Sequence, residues 1–245
     1  MDSHPKYADT VFRKYFSYPH SLIEIYNSVN DTHLPEDTPI DIVHMPDNIL
    51  CKDRINDGAF VINDEMIVLL EQQSPVDENM PLRILLYISR LYEKYIESVD
   101  HGAIYKKKGI KLPTPKFYVL YTGKDEDIPR KQVTKLSDAF KVKESPFPLD
   151  LKVNMYHLDT QTGDKDTIMG ESAWQYTLFI HQIHEELNKC SAPNTAFNAA
   201  IAFCIRNDTM RQFFQENSAE VKNMLITEYN MDVALRTSLD KFANS

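Results

Sequence analysis

The chain has 245 residues, 42% of them hydrophobic and 26% charged, so it can bury a substantial core and is neither a disordered tract nor a small stapled scaffold. Its formal net charge of −9 counts against an indiscriminate nucleic-acid binder, and no apolar run reaches the length of a membrane span. Cys51, Cys190 and Cys204 are widely spaced and odd in number and make no zinc pattern and no disulfide framework, and MDSHPKYADTVF carries no apolar signal region, which together point to a reducing cytoplasm.

Residues 9–28 read as helix in two pieces broken near Pro19, with Phe12, Tyr15, Phe16, Leu22, Ile23 and Tyr26 forming an apolar stripe. Glu24 lies in the second piece. Residues 30–39 form a polar loop. Ile40–His44 and Ile49–Cys51 are candidate strands around a Pro46-Asp47-Asn48 turn. Lys52, Asp53 and Arg54 follow, and they either flank a bound phosphate or form the polar approach to the next strand.

The central stretch is NDGAFVINDEMIVLLEQQSP, residues 56–75. Two apolar runs, Ala59–Ile62 and Met66–Leu70, flank Asn63-Asp64-Glu65, which is the pattern of a β-hairpin. Asp57 stands at the mouth of the first strand, and Glu71 and Gln73 stand at the end of the second. Residues two apart share a strand face, so Glu71 and Gln73 are expected to point one way and Gln72 the other. The hairpin brings Asp57 back toward Glu71. Two carboxylates converging without a positive partner suit a hard divalent cation, usually Mg²⁺.

Ser74–Asn79 is a polar loop, and Pro81 suits a helix start. That helix is predicted to run to Val99, with Leu82, Leu85, Leu86, Tyr92, Tyr95, Ile96 and Val99 on the apolar period and to pack on the sheet. Arg83 in its first turn either contacts a substrate phosphate or closes a salt bridge. Phe117–Tyr121 is uniformly apolar or aromatic and reads as a central strand ended by Gly123. Residues 124–148 read as a long connector, Leu149–Tyr156 as a strand and 157–170 as a loop. From Glu171 on, the chain is predicted to be helical: one helix through Trp174 and Leu187, a second over Ala196–Ile205, and two more over Met210–Phe214 and Val221–Tyr229. His181, His184 and Glu185 share a helical spacing but lack a companion motif, and read as a wet helical face.

Charge is unevenly distributed. Residues 101–145 hold 11 Lys and Arg against 5 Asp and Glu, and the remainder holds 16 against 31. Lys106, Lys107, Lys108 and Lys111 are the densest part. Such a segment reads either as a phosphate-facing surface or as a solvated loop.

Asp57 followed by Glu71-Gln72-Gln73 resembles the PD-(D/E)XK nuclease signature, with glutamine at the usual lysine. Glu71-Gln72-Gln73-Ser74, then Asn79-Met80-Pro81-Leu82-Arg83 and Tyr87, resembles the recombination-promoting nuclease/putative transposase (Rpn) branch of that superfamily. The likeness continues through Pro113-Thr114-Pro115-Lys116-Phe117, Tyr121-Thr122-Gly123 and Leu136-Ser137-Asp138-Ala139-Phe140 into the helical stretches 200–205 and 220–229. It implies an α/β restriction-endonuclease-like core, a mixed central sheet flanked by helices, over residues 1–170. Residues 171–245 then form a helical region packed on the core or appended to it.

The same resemblance implies a Mg²⁺-dependent DNA endonuclease, with Mn²⁺ as a substitute ion, linked to recombination or mobile elements. Asp57, Glu71 and the Gln72 carbonyl would be metal ligands. Gln73 would orient the nucleophilic water, and Glu24 would stand for the first-helix glutamate often found beside the metal. Arg54, Arg83, Lys106, Lys107 and Lys108 would face DNA, with a homodimer as a possible assembly. Gln72 stands where the branch commonly has histidine. The alternative is a catalytically inactive nuclease-fold module that binds DNA or protein; the acidic net charge and Gln73 favour it, and the retained carboxylate pair favours the enzyme.

Overall fold

The computed structural model describes residues 8–43, 57–72, 77–99, 102–123, 127–143, 145–158, 160, 165, 168–190 and 192–243; for residues 9, 57, 58, 70–72, 103, 235, 236 and 238–243 it describes the backbone alone. The chain divides into two compact units. One comprises Met1–Glu36, Thr122–Glu126 and Leu158–Ser245, and the other Asp37–Tyr121 and Asp127–His157.

The second unit is α/β. Its strands are β1 (Asp41–Ile42), β2 (Asp57–Ile62), β3 (Glu65–Gln72), β4 (Thr114–Tyr121), β5 (Lys131–Lys135) and β6 (Lys152–His157), in the spatial order β1-β2-β3-β4-β6-β5. β1, β2 and β3 form an antiparallel meander; β4 and β6 run parallel to β3; β5 closes the edge antiparallel to β6. The sheet is therefore mixed.

The β2–β3 turn is as the sequence predicts. Asn63 and Asp64 take positive φ, 49° and 57°, and a two-residue turn of that shape matches the twist of the strands it joins. A parallel neighbour demands a crossover instead, and α3 (Met80–Val99) provides it between β3 and β4.

α3 packs on the sheet as expected, and Tyr92 and Tyr95 of the expected stripe lie against it, but the fully buried face is a different one. Met80, Ile84, Tyr87, Ile88 and Leu91 are buried against Ala59, Met66, Val68, Phe117, Val119, Val153 and Met155. Leu82 and Leu86 are 46% and 54% exposed. The helix is apolar on more than one side, so its sequence carries two overlapping stripes, and only packing selects between them. β4 is the central strand foreseen, buried on both faces from Phe117 to Tyr121.

The connector expected over 124–148 contains β5. Its sequence KQVTK leaves Lys131, Val133 and Lys135 exposed, so it has no buried face and no apolar alternation to announce it. Charged side chains on an edge strand also discourage further pairing. The predicted strand Ile49–Cys51 lies outside the described residues.

The first unit is helical: α1 (Asp9–Tyr15), α2 (Pro19–Asn30), α4 (Glu171–Lys189), α5 (Pro193–Arg206) and α6 (Arg211–Ala243). Pro19 and Pro193 each sit in the first turn, where their missing N–H costs nothing. An aromatic cluster joins helices of this unit. The Phe12 ring lies 4.7 Å from Phe16 and 5.3 Å from Tyr176, Tyr15 is 5.2 Å from Phe213, and Phe179 is 4.9 Å from Phe214. The two helices expected over 210–229 are one helix of 33 residues. The polar stretch near Asn217 and Ser218 holds neither Gly nor Pro, so nothing in it breaks the backbone ladder.

Candidate functional site

The hairpin register places Asp57 opposite Leu70, so Glu71 follows directly on Asp57's partner. Glu71 in turn pairs with Leu120 of β4, and Gln72 with Tyr121. These positions occupy one end of the sheet, where the parallel strands β3, β4 and β6 finish. Open α/β sheets bind ligands beyond the carboxyl ends of parallel strands. Along this register Asp57 is in pleat phase with Leu70 and Gln72, and Glu71 is in the other phase. Gln73 and Arg54 lie outside the described residues.

His157, which the sequence pattern places in a loop, ends β6 in this row, paired with Tyr121. Its ring meets Tyr121 edge-on at 5.4 Å, and Nδ1 lies 3.3 Å from the Ile128 carbonyl oxygen. A carbonyl only accepts, so Nδ1 is the donor in that hydrogen bond. The apolar run ends at Tyr156, and a pattern that counts apolar residues stops there.

Arg83 donates to Asp77 Oδ2 at 2.6 Å, and Asp77 Oδ1 accepts from the Asn79 N–H at 2.9 Å. The salt-bridge reading of Arg83 is thus realised at the start of α3. Burial alone would raise the Asp77 pKa. The hydrogen bonds from Arg83 and Asn79, with the Arg83 charge, outweigh it and hold the carboxyl below its usual range.

Lys106, Lys107 and Lys108 are exposed in the connection from α3 to β4. This connection reaches β4 at Thr114, whose N–H donates to the Asp64 carbonyl at 2.8 Å, beside the hairpin turn. It therefore lies at the opposite end of the sheet from Asp57 and Glu71. Seven steps along β4 separate the ends, roughly 23 Å at ~3.3 Å per residue. The structure groups Asp57, Glu71 and Gln72 and sets the lysines apart from them.

Glu24 belongs to the helical unit and closes the start of α4. Its Oε1 accepts from the Glu171 N–H at 2.7 Å, and Oε2 accepts from the Ser172 N–H at 2.9 Å and the Ser172 hydroxyl at 2.5 Å. A carboxylate at a helix N-terminus satisfies orphan donors and meets the positive end of the dipole. Gly170 precedes α4 with φ +88°, and a Cβ there would stand 2.9 Å from Glu24 Cγ, so only glycine fits. Burial holds the Tyr15 hydroxyl above its usual range; the hydrogen bond with Ser172 opposes this and the Glu24 charge adds to it. A cavity of about 480 Å³ opens here, bordered by Tyr15, Glu24, Gln175, Arg211 and Phe213.

The expected wet face of α4 is only partly wet. His184 is 3% exposed, and its ring stacks on His181 at 6.5 Å with 21° between planes. His181 Nδ1 lies 2.6 Å from the Thr160 hydroxyl, while Glu185 pairs with Lys189 at 3.6 Å.

Among the described residues no group of three or more His, Cys, Asp or Glu side chains is gathered as metal ligands, and no helix is long and apolar enough to cross a membrane. Asp57 and Glu71, on adjacent strand ends but in opposite pleat phases, and the Gln72 carbonyl carry oxygen donors of the kind Mg²⁺ or Mn²⁺ takes. Compared with protein-family models, with curated proteins and with solved structures, the chain matches none.

Proposed function

We propose that this chain is a Mg²⁺-dependent DNA endonuclease of the PD-(D/E)XK type, of the recombination-promoting branch, working in the cytoplasm. The observation that carries the reading is the hairpin register, which sets Asp57 opposite Leu70, the residue before Glu71, where β3 and β4 end. The mixed sheet with α3 on it agrees with a restriction-endonuclease-like core. In this reading the Asp57 and Glu71 carboxylates and the Gln72 carbonyl hold the metal, and Gln73 orients the attacking water. The bound ion supplies positive charge at the scissile phosphate. Gln73 is neutral, so it aligns water through hydrogen bonds without stabilising hydroxide by charge.

The reading carries a structural requirement. Asp57 and Glu71 stand in opposite phases of a register that is unbroken from Asp57 to Ile62, so the reading requires a one-residue shift from this register at the start of β2 to bring the carboxylates to one side. A crystal structure with Mn²⁺ tests this directly: one ion held by both carboxylates supports the reading, and separated carboxylates end it. Plasmid nicking with and without Mg²⁺, beside Asp57→Ala, tests the activity. A protein that neither nicks nor shows a Mg²⁺-dependent rise in Tm is the inactive binding module instead.

A further inference from the structure

The connection between α3 and β4 presents an aromatic ring to solvent inside a run of lysines. Tyr105 is 87% exposed and Ile104 59%. Both belong to a short 3₁₀ turn, Ala103–Tyr105, closed by the Tyr105 N–H donating to the Gly102 carbonyl at 3.0 Å. Lys106, Lys107 and Lys108 follow directly and are exposed, as is Lys111. From residue 101 to 124 the chain holds six lysines and no Asp or Glu, within a protein of net charge −9. One of these six, Lys116, pairs with Glu65 at 2.8 Å. Lys106, Lys107, Lys108 and Lys111 make a basic loop with a ring at its head, held out by an ordered turn.

Lysines along a chain follow phosphates, and an exposed ring offers a flat apolar face. In a duplex the base faces are already stacked on one another; in a single strand they are free to stack on protein. We propose that Tyr105 with Lys106, Lys107 and Lys108 forms a docking site for unpaired nucleotides, the ring stacking on a base and the ammonium groups lying along the adjoining phosphates. The site rests on the nucleic-acid half of the function proposed above but not on its chemistry. It stands roughly 23 Å along β4 from the Glu71 end, a span of several nucleotides. A single-stranded tail held here would leave the carboxylate end clear for another part of the same substrate.

Fluorescence anisotropy of the full chain in EDTA, with a short labelled oligothymidylate and a duplex of equal length, tests it. Tyr105→Ala should weaken oligothymidylate binding roughly 5- to 150-fold, which is what ~1–3 kcal/mol of stacking amounts to, without changing the salt slope. Tyr105→Phe keeps the ring and should stay within about twofold of wild type. The triple lysine-to-alanine variant should lower the slope of log K against log salt by about 0.7 for each phosphate it no longer neutralises. Unchanged melting confirms that each variant is folded.

Oligothymidylate binding by Tyr105→Ala equal to wild type overturns the proposal. So does a wild-type chain that ignores oligothymidylate, or that binds only duplex or only phosphatidylserine vesicles. A wild type that binds oligothymidylate through Tyr105 but nicks nothing upholds this site and removes the nuclease reading; nicking with an indifferent Tyr105 does the reverse.

Discussion

Glu24 in the helical unit and Glu71 in the sheet unit carry the same functional group in opposite settings. Glu24 lies among donors: two backbone N–H groups and a hydroxyl of α4 close around both its oxygens. Glu228 serves α1 through one oxygen, Oε1 accepting from the Thr10 N–H at 2.8 Å and from the Thr10 hydroxyl. Glu71 stands in the last two residues of a strand, beside the carboxylate-bearing position 57. The helical unit uses glutamates to finish its own backbone. In the sheet unit two acidic positions, Asp57 and Glu71, stand on adjacent strand ends in opposite phases of the pleat.

The contrast breaks most visibly at Glu71. Under the proposed function, Glu71→Gln should lower Mg²⁺-dependent nicking by roughly a hundredfold or more, because an interaction that stabilises developing charge is lost. Apo stability should be equal or higher, since removing one of two adjacent carboxylates relieves repulsion. Wild-type nicking rates in this variant would end the assignment of Glu71.

Glu24→Ala should do the opposite: nicking intact, stability lower by about 2 kcal/mol from a lost cap and exposed donors. Trp174, the single tryptophan and 8% exposed, sits in the first turn of α4 and reports this unit in a urea titration. Gly170→Ala should shift the same transition in the same direction, by about 1–2 kcal/mol, through its positive φ and its closeness to Glu24. An unmoved urea midpoint in both variants would show that the cap carries no stability.

The smallest expected effect is at Asp77. Its folded pKa is lowered, so the pair with Arg83 stabilises above the ordinary aspartate range and that contribution is lost as pH falls through the folded value. Partial exposure limits it to about 0.5–1 kcal/mol. Asp77→Asn should therefore cost stability at pH 7 and nothing near pH 2; an equal loss at both would place the effect in packing rather than charge.

The hairpin is legible in the sequence because it depends on neighbours: two apolar runs and an Asn-Asp turn are local facts. β4 is legible because all of Phe117–Tyr121 is buried. β5 is not, since an edge strand without a buried side leaves no pattern. The polar residues near Asn217 suggest a break in α6, but only Gly or Pro would have stopped that helix. Analogy sends Glu24 to a metal, while its partners Glu171 and Ser172 lie 147 and 148 residues away. No window of sequence contains that pairing. The placement of the lysines is in principle within reach. A crossover helix of 20 residues spans roughly 30 Å, so a chain leaving β3 at the carboxylate end must return to the sheet at the other.

The helices of the helical unit come from two stretches far apart in sequence, within 8–36 and from 158 onward, and this has a consequence during synthesis. α1 and α2 leave the ribosome early, whereas Tyr176 and Phe213, which cover Phe12 and Tyr15, are made more than 140 residues after α2 ends. At translation speeds of about 5–20 residues per second that delay is on the order of 10–30 s. Meanwhile the aromatic faces of Phe12, Tyr15 and Phe16 wait without their partners. We predict that nascent chains stalled before residue 171 are cut by protease within residues 9–30, while the finished chain resists there; equal protection in both would mean that the first two helices find cover earlier.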